Sequence, residues 1–202
     1  MHQGIYWIGG SPCSGKSSVA EMLTRQHGLT YYKCDDHFDS HLRQGIEAGK
    51  PVCAAVQHGD MDFVFLREHE QNVKLAWDVF SEEFEFVIRD LEKLPKPLLA
   101  EGAVLLPSSL RALAIAPERA FYLLPREAFF RGQYAKRAWA RERALRSTDP
   151  PRAFENWMRR DVSFAQKVAD DASKSGFRVH WVDGLLSIDR TASLVAAHFQ
   201  LA

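Results

Sequence analysis

Cysteine is scarce in this chain: three residues in 202, Cys13, Cys34 and Cys53, widely spaced and without a C-x-x-C pair. That pattern argues against a zinc site and against a disulfide framework, and makes a reducing, cytoplasmic setting the expectation. An excess of one charge is also missing. Lys and Arg total 26, Asp and Glu total 26, and the formal net charge is +0. A neutral chain offers no general electrostatic reason to expect a nucleic acid as partner, although a local basic patch stays open. No apolar stretch reaches the roughly 20 residues that span a bilayer, so no membrane partner is expected. The first predicted strand begins within a few residues of the N-terminus, which leaves no secretory leader to expect. The chain does have apolar mass. At 46% hydrophobic, with five Trp and thirteen Phe, it reads as a packed globular protein of one domain with room for a small insertion.

The strongest local signal is Gly10-Ser11-Pro12-Cys13-Ser14-Gly15-Lys16-Ser17, a complete G-x-x-x-x-G-K-S loop. The apolar run Ile5-Tyr6-Trp7-Ile8 before it reads as a buried strand, and a helical pattern with Val19, Met22 and Leu23 on one face follows. Glycines let the backbone wrap an anion closely with successive N–H groups pointing inward. Lys16 supplies a point charge for the outer phosphates, Ser17 a hydroxyl for Mg²⁺, and the helix that starts here its positive end. The whole stretch, with Ser18 as the next residue, is therefore expected to hold ATP. Cys13 has two readings: a thiol activated near the helix N-terminus, or a small loop filler.

Strand and helix signals alternate onward, which indicates α/β architecture with a largely parallel sheet. Predicted strands are Gly4–Ile8, Thr30–Cys34, Pro97–Ala100, Ala120–Leu124 and Arg178–Val182. Each ends in polar or glycine residues, and in open α/β sheets the ligand crevice lies at that edge. Lys16, Asp35, Asp36, Glu101 and Asp183 thus gather on one rim. Some sixty residues separate the second and third strands. Val73, Trp77, Phe80, Phe84, Val87, Ile88 and Leu91 recur there at helical spacing, so 38–95 is expected to be a helical insertion, either extra core or a flap over the phosphate site. After the fourth strand comes an arginine-rich segment, about 126–150, before Ser147-Thr148-Asp149-Pro150-Pro151 breaks the pattern.

Phosphoryl transfer needs positioning, charge neutralisation and a group that orients the nucleophile. Asp36 is the expected base and Asp35 its metal-side partner, with a helix cap as the alternative for both. Glu101 ends an apolar strand, where a buried carboxylate is costly without a cation or donor, so it is expected at the magnesium. Glu101-Gly102 and His37 are expected to border the substrate. Arg137 and Arg141 are spaced i, i+4, and with Arg131 are expected to close over the triphosphate. Asp183-Gly184 is expected to form a turn.

This arrangement resembles the small-molecule P-loop kinases: nucleoside monophosphate kinases, shikimate and gluconate kinases, and chloramphenicol phosphotransferase. The resemblance implies a three-layer fold, a five-stranded parallel sheet in the order 2-3-1-4-5, a substrate flap after the second strand and an arginine-bearing lid after the fourth. It implies ATP and Mg²⁺ as cofactors. Asp35 or Asp36 matches the family's acidic residue beyond the second strand. Phe65-Leu66-Arg67-Glu68-His69-Glu70 is similar to the Phe-Arg-x-x-Glu run of shikimate kinases, which makes Arg67 a candidate for a substrate anion. Asp183-Gly184-Leu185 is similar to the family's adenine-side loop. The third strand ends in Glu101-Gly102 rather than the glycine triplet of shikimate kinases and looks more like that of uridine kinase relatives. The expected function is transfer of a phosphoryl group from ATP to a hydroxyl or phosphate of a small molecule. A non-kinase NTPase or a nucleotide-binding regulatory module is the alternative. An Asn-Lys-x-Asp guanine signature and a Leu-Ser-Gly-Gly-Gln run are both missing from the sequence.

Overall fold

The computed structural model describes residues 4–201. Five strands form one parallel sheet: β1 (Ile5–Gly10), β2 (Thr30–Lys33), β3 (Leu98–Glu101), β4 (Ala120–Pro125) and β5 (Arg178–Val182). Their order is β2-β3-β1-β4-β5, as the resemblance implies. The expected strands are all present, with ends shifted by one or two residues. Thr30–Cys34 loses Cys34, because Cys34–His37 turns into a single 3₁₀ helix.

Strand alternation sorts the core into two layers. Trp7, Leu98, Ala100, Tyr122 and Leu124 point to one face. Ile8, Leu99, Phe121 and Leu123 point to the other. The second face is covered by α1 (Lys16–His27) and α10 (Ile188–Phe199), through Val19, Leu23, Val195 and Phe199. Gly28 ends α1 in the left-handed conformation, its N–H bonded to the Thr24 carbonyl, as a glycine C-terminal stop should. The opposite face is covered by α5 (His69–Glu92), α6 (Pro107–Ala112) and α9 (Pro150–Lys174). Because both faces are covered, the central strands are apolar throughout rather than alternating.

Between β2 and β3 lie α2 (Phe38–Glu47), α3 (Pro51–His58), α4 (Met61–Phe65) and α5, so the long connection is helical. After β4 come α7 (Glu127–Ala135) and α8 (Ala138–Ala144). Asp62 of α4 ties these two segments together. It accepts hydrogen bonds from the Ser147 hydroxyl (2.5 Å), the Thr148 N–H (2.8 Å) and the Thr148 hydroxyl (2.6 Å). Those donors hold its carboxyl below its ordinary pKa. Among the described residues, no helix is long and apolar enough to cross a membrane.

Candidate active site

The β1–α1 connection is folded around its own backbone. Gly10 has φ 138°, and a Cβ there would lie 1.9 Å from the Leu123 carbonyl oxygen, so the loop can leave the sheet only with glycine. Cys13 and Gly15 also take positive φ, at 64° and 78°, and Gly15 caps α1. The Lys16 ammonium is buried and donates to the Ser11 carbonyl at 3.0 Å, lying across the loop it belongs to. The Ser11 and Ser14 hydroxyls are buried without a hydrogen-bond partner. Buried polar atoms of this kind are rare in folded proteins unless a ligand completes them. Here they surround a helix N-terminus, which fits a phosphate group.

Combined with the 2-3-1-4-5 parallel sheet, this loop decides the architecture. The chain has a P-loop NTPase fold. The loop itself is a packed piece of that fold. Cys13 sits against Phe130, Tyr134 and Trp157, and burial pushes its thiol up to about 11. The filler reading therefore holds, and an activated thiol does not.

Glu101 is the second fixed point. It pairs in register with Ile8 of β1 and Lys33 of β2, which puts it at the carboxyl edge of the sheet beside the loop. Its carboxylate is fully buried. One oxygen accepts from the Tyr31 hydroxyl at 3.0 Å, and the other has no hydrogen-bond partner. Burial raises its pKa, the Lys16 charge and the Ser17 hydroxyl oppose the rise, and Asp35 adds to it. A half-satisfied carboxylate next to Lys16 and Ser17 has the donor chemistry of a site for a hydrated divalent cation.

Asp35 and Asp36 diverge because the strand has already ended. Asp36 turns outward and pairs with Lys33 at 2.8 Å, with its side chain 62% exposed. Asp35 is exposed as well but lies on the Gly102 side: a Cβ on Gly102 would lie 3.5 Å from its carboxylate and 2.6 Å from the Cys34 Cβ. Of the two, Asp35 and not Asp36 borders the cavity next to the loop.

Asp35 and Pro12 share the wall of a half-open cavity of about 460 Å³ lined by residues of α2 to α5, α8 and α9. Several residues expected around it lie elsewhere. His37 stacks on Tyr32, ring centroids 4.6 Å apart, and is not in the lining. Arg67, in the bend after α4, folds back on that helix, donating to the Phe63 carbonyl at 2.6 Å with its guanidinium 3.7 Å from the Phe63 ring. Arg131 is held by Glu127 (2.9 Å) and, through both terminal nitrogens, by Glu155 (3.1 Å each). Arg137 and Arg141 do not share a helix face. Arg137 is extended (φ −100°, ψ 93°) and starts α8 as its cap, a break that no Gly or Pro marks. It stays near the loop even so, within electrostatic reach of Cys13 and over the Tyr134 and Trp139 rings.

The arginines that do line the cavity are Arg143, a member of the arginine-rich segment, and Arg160, which lies outside it and which the sequence pattern did not single out. Asp183 accepts from the Leu185 N–H at 2.9 Å, forming the expected turn. Leu185 and Ile188 beyond it are exposed apolar residues, and Ile188 reaches the Gly15 side of the loop.

Behind the Asp35 turn lies a buried polar group that sequence reasoning also missed. His41 is fully buried between Glu83 (3.0 Å) and Asp90 (3.1 Å), and Tyr32 donates to Asp90 at 3.0 Å. Burial pulls the imidazole pKa down, but the two carboxylates outweigh it and the net direction is up. Glu83 is raised by burial, and one of its oxygens has no hydrogen-bond partner.

No family model matches the chain, and no curated protein does. Among solved structures, the chain is similar to shikimate kinase from Aquifex aeolicus. They are 16% identical over 97% of this chain and 96% of that one, with a TM-score of 0.47. It is also similar to TT1252 from Thermus thermophilus, 19% identical over 96% of each chain, with a TM-score of 0.49.

Proposed function

We propose that this protein is an ATP-dependent kinase for a small molecule. The observation that carries the reading is a shared wall: Pro12 of the phosphate loop and Asp35 of the β2 turn face one cavity of about 460 Å³. A nucleotide-only switch has no use for a second chamber that opens on its phosphates. In this reading the loop N–H groups, Lys16 and the Ser11 and Ser14 hydroxyls hold the β- and γ-phosphates. Ser17 and Glu101 hold Mg²⁺ together with water, and the metal supplies charge neutralisation at the transferring group. Asp35 accepts the proton of the attacking hydroxyl as the new O–P bond forms and the bond to the β-phosphate oxygen breaks, releasing ADP. Arg137 adds positive charge from the loop's open side. The Asp183–Ile188 turn borders the base. Three free and buried thiols are consistent with a reducing, cytoplasmic setting.

The test is transfer of label from γ-³²P-ATP across a panel of hydroxylated acceptors. Acceptor-dependent ADP release, lost in Lys16→Ala with the unfolding transition unchanged, supports the reading. Hydrolysis that no acceptor alters overturns it in favour of a plain NTPase or regulatory module.

A further inference from the structure

The cavity beside Asp35 has walls unlike those of a sugar or nucleobase site. Its lining is dominated by hydrocarbon: Phe38, Phe65, Val79, Phe80, Trp157 and Phe164. The rings brace one another. Phe65 stacks on Trp157 at 4.7 Å, while Phe80 meets Phe38 at 6.3 Å and Phe164 at 5.7 Å, both edge-on. Such walls suit an apolar ligand body, and hydrogen-bonding side chains are confined to Asp35, Asp39, Gln57, Arg143, Arg160 and Asp161. Each polar group of a ligand buried there without a partner lowers affinity roughly tenfold. A polyol or a nucleobase turns some of its polar groups to the aromatic side, where only ring faces and alkyl carbons meet them. The volume also lies in the range of about 300–1,000 Å³ found for pockets that take larger organic molecules.

The charged groups divide unequally. Arg160 is already matched: its guanidinium donates twice to one oxygen of Asp161, at 2.8 and 2.6 Å. The other oxygen of Asp161 accepts from Trp157 at 3.1 Å and Tyr134 at 3.3 Å. Arg143 differs. Among the described residues it has no carboxylate within ion-pair distance, and it lies 5.9 Å over the Trp157 ring. Burial and the neighbouring charges of Arg160 and Arg146 hold its pKa below the ordinary value, and Asp39 on the same wall opposes the shift. A guanidinium on a cavity wall with no carboxylate hydrogen-bonded to it can take an anionic group of a ligand.

We infer that the acceptor is an amphipathic hydroxy acid: an aromatic or branched apolar body against Phe38, Phe65, Val79 and Phe80, a hydroxyl presented to Asp35, and one anionic group paired with Arg143. This inference rests on the kinase reading for the fate of the hydroxyl. It rests on the walls alone for the class of ligand.

Four probes separate the classes: 3-phenyllactate, its neutral counterpart 3-phenylpropane-1,2-diol, gluconate and AMP. Binding is measured by calorimetry without nucleotide, and transfer by ADP release with ATP. 3-Phenyllactate is expected to bind at least tenfold more tightly than gluconate or AMP, and about tenfold more tightly than the diol. Arg143→Met should erase the preference for the acid over the diol. Val64→Asn, which puts a polar group on the cavity wall, should weaken both aromatic probes. Tighter binding of gluconate or AMP overturns the class and leaves the kinase reading standing. So does an unchanged acid preference in Arg143→Met. If 3-phenyllactate binds as stated but no probe accelerates ADP release, the ligand class holds and the kinase reading fails.

Discussion

Glu101→Gln is the most revealing single change, because its effect on stability should reverse sign when nucleotide is added. In the protein alone, one Glu101 oxygen is satisfied by Tyr31 and the other is buried without a hydrogen-bond partner. Leaving a buried polar group unmet costs about 1–3 kcal/mol. The glutamine removes the charge and keeps an acceptor for Tyr31. It gives up about 1 kcal/mol of charge assistance in that bond, and the attraction of Lys16. The net is about 0–1 kcal/mol in favour of the variant, or a Tm at most about 2–4 °C above wild type for a chain of this size. The pH dependence has a definite sign. Burial raises the folded-state pKa of Glu101 above its ordinary value of 4.5. The penalty is therefore absent below that value and complete above the folded pKa, so the variant's advantage grows as pH rises through this window. Saturation with a Mg²⁺ complex of a non-hydrolysable ATP analogue should invert the order. At a hundred times Kd the wild type gains about 2.7 kcal/mol, or about 5–10 °C, and the variant half of that or less. Differential scanning fluorimetry with and without the complex, at three pH values, measures all of this. A variant that melts well below wild type without nucleotide, yet shows the full ligand shift, would refute the assignment of Glu101 to the metal.

Three other changes probe the site. Asp35→Asn should lower acceptor-dependent turnover about 10²–10⁴-fold with nucleotide affinity retained. Asp36→Asn, which loses only an exposed pair, should stay near wild type in steady-state kinetics. Gly102→Ala drives a methyl group to 2.6 Å from the Cys34 Cβ. It should cost about 1–3 kcal/mol in denaturant unfolding and, by displacing Asp35 on the order of an ångström, about 10²-fold in turnover. The His41 pair contributes stability that is fully present below the ordinary imidazole value of 6.5 and is lost as pH rises through the raised folded pKa. Urea midpoints should fall across that window in wild type and stay level in His41→Gln.

The sheet was legible because its signals are local. Each strand is a short apolar run closed by Gly, Pro or Asp, and the loop needs its glycines at positions that no other residue fills. The same locality explains what was missed. Arg143 and Arg160 stand on two helices, and only the packing of α8 against α9 brings them to one cavity. The i, i+4 spacing of Arg137 and Arg141 assumes a continuous helix, and a chain that breaks at Arg137 without Gly or Pro defeats that arithmetic. Strand alternation separates Asp35 from Asp36 only while the strand lasts, and the pair lies in a 3₁₀ turn where the alternation no longer applies. His41 carries no local signal, since its carboxylate partners are more than forty residues away.

What ties these residues together is the placement of unmet polarity. A folded chain keeps buried donors and acceptors paired, and departures concentrate where function demands them. Here the Ser11 and Ser14 hydroxyls and the free Glu101 oxygen are such departures around the loop, and the free Glu83 oxygen is another, its charge felt by Cys34 beside Asp35. Three of them lie at or beside the loop, and Glu83 is coupled electrostatically to Asp35. Packing alone would have favoured apolar residues at each of these positions. On the kinase reading, unmet polarity at the loop beside a largely apolar cavity is what a transfer between two bound molecules would use.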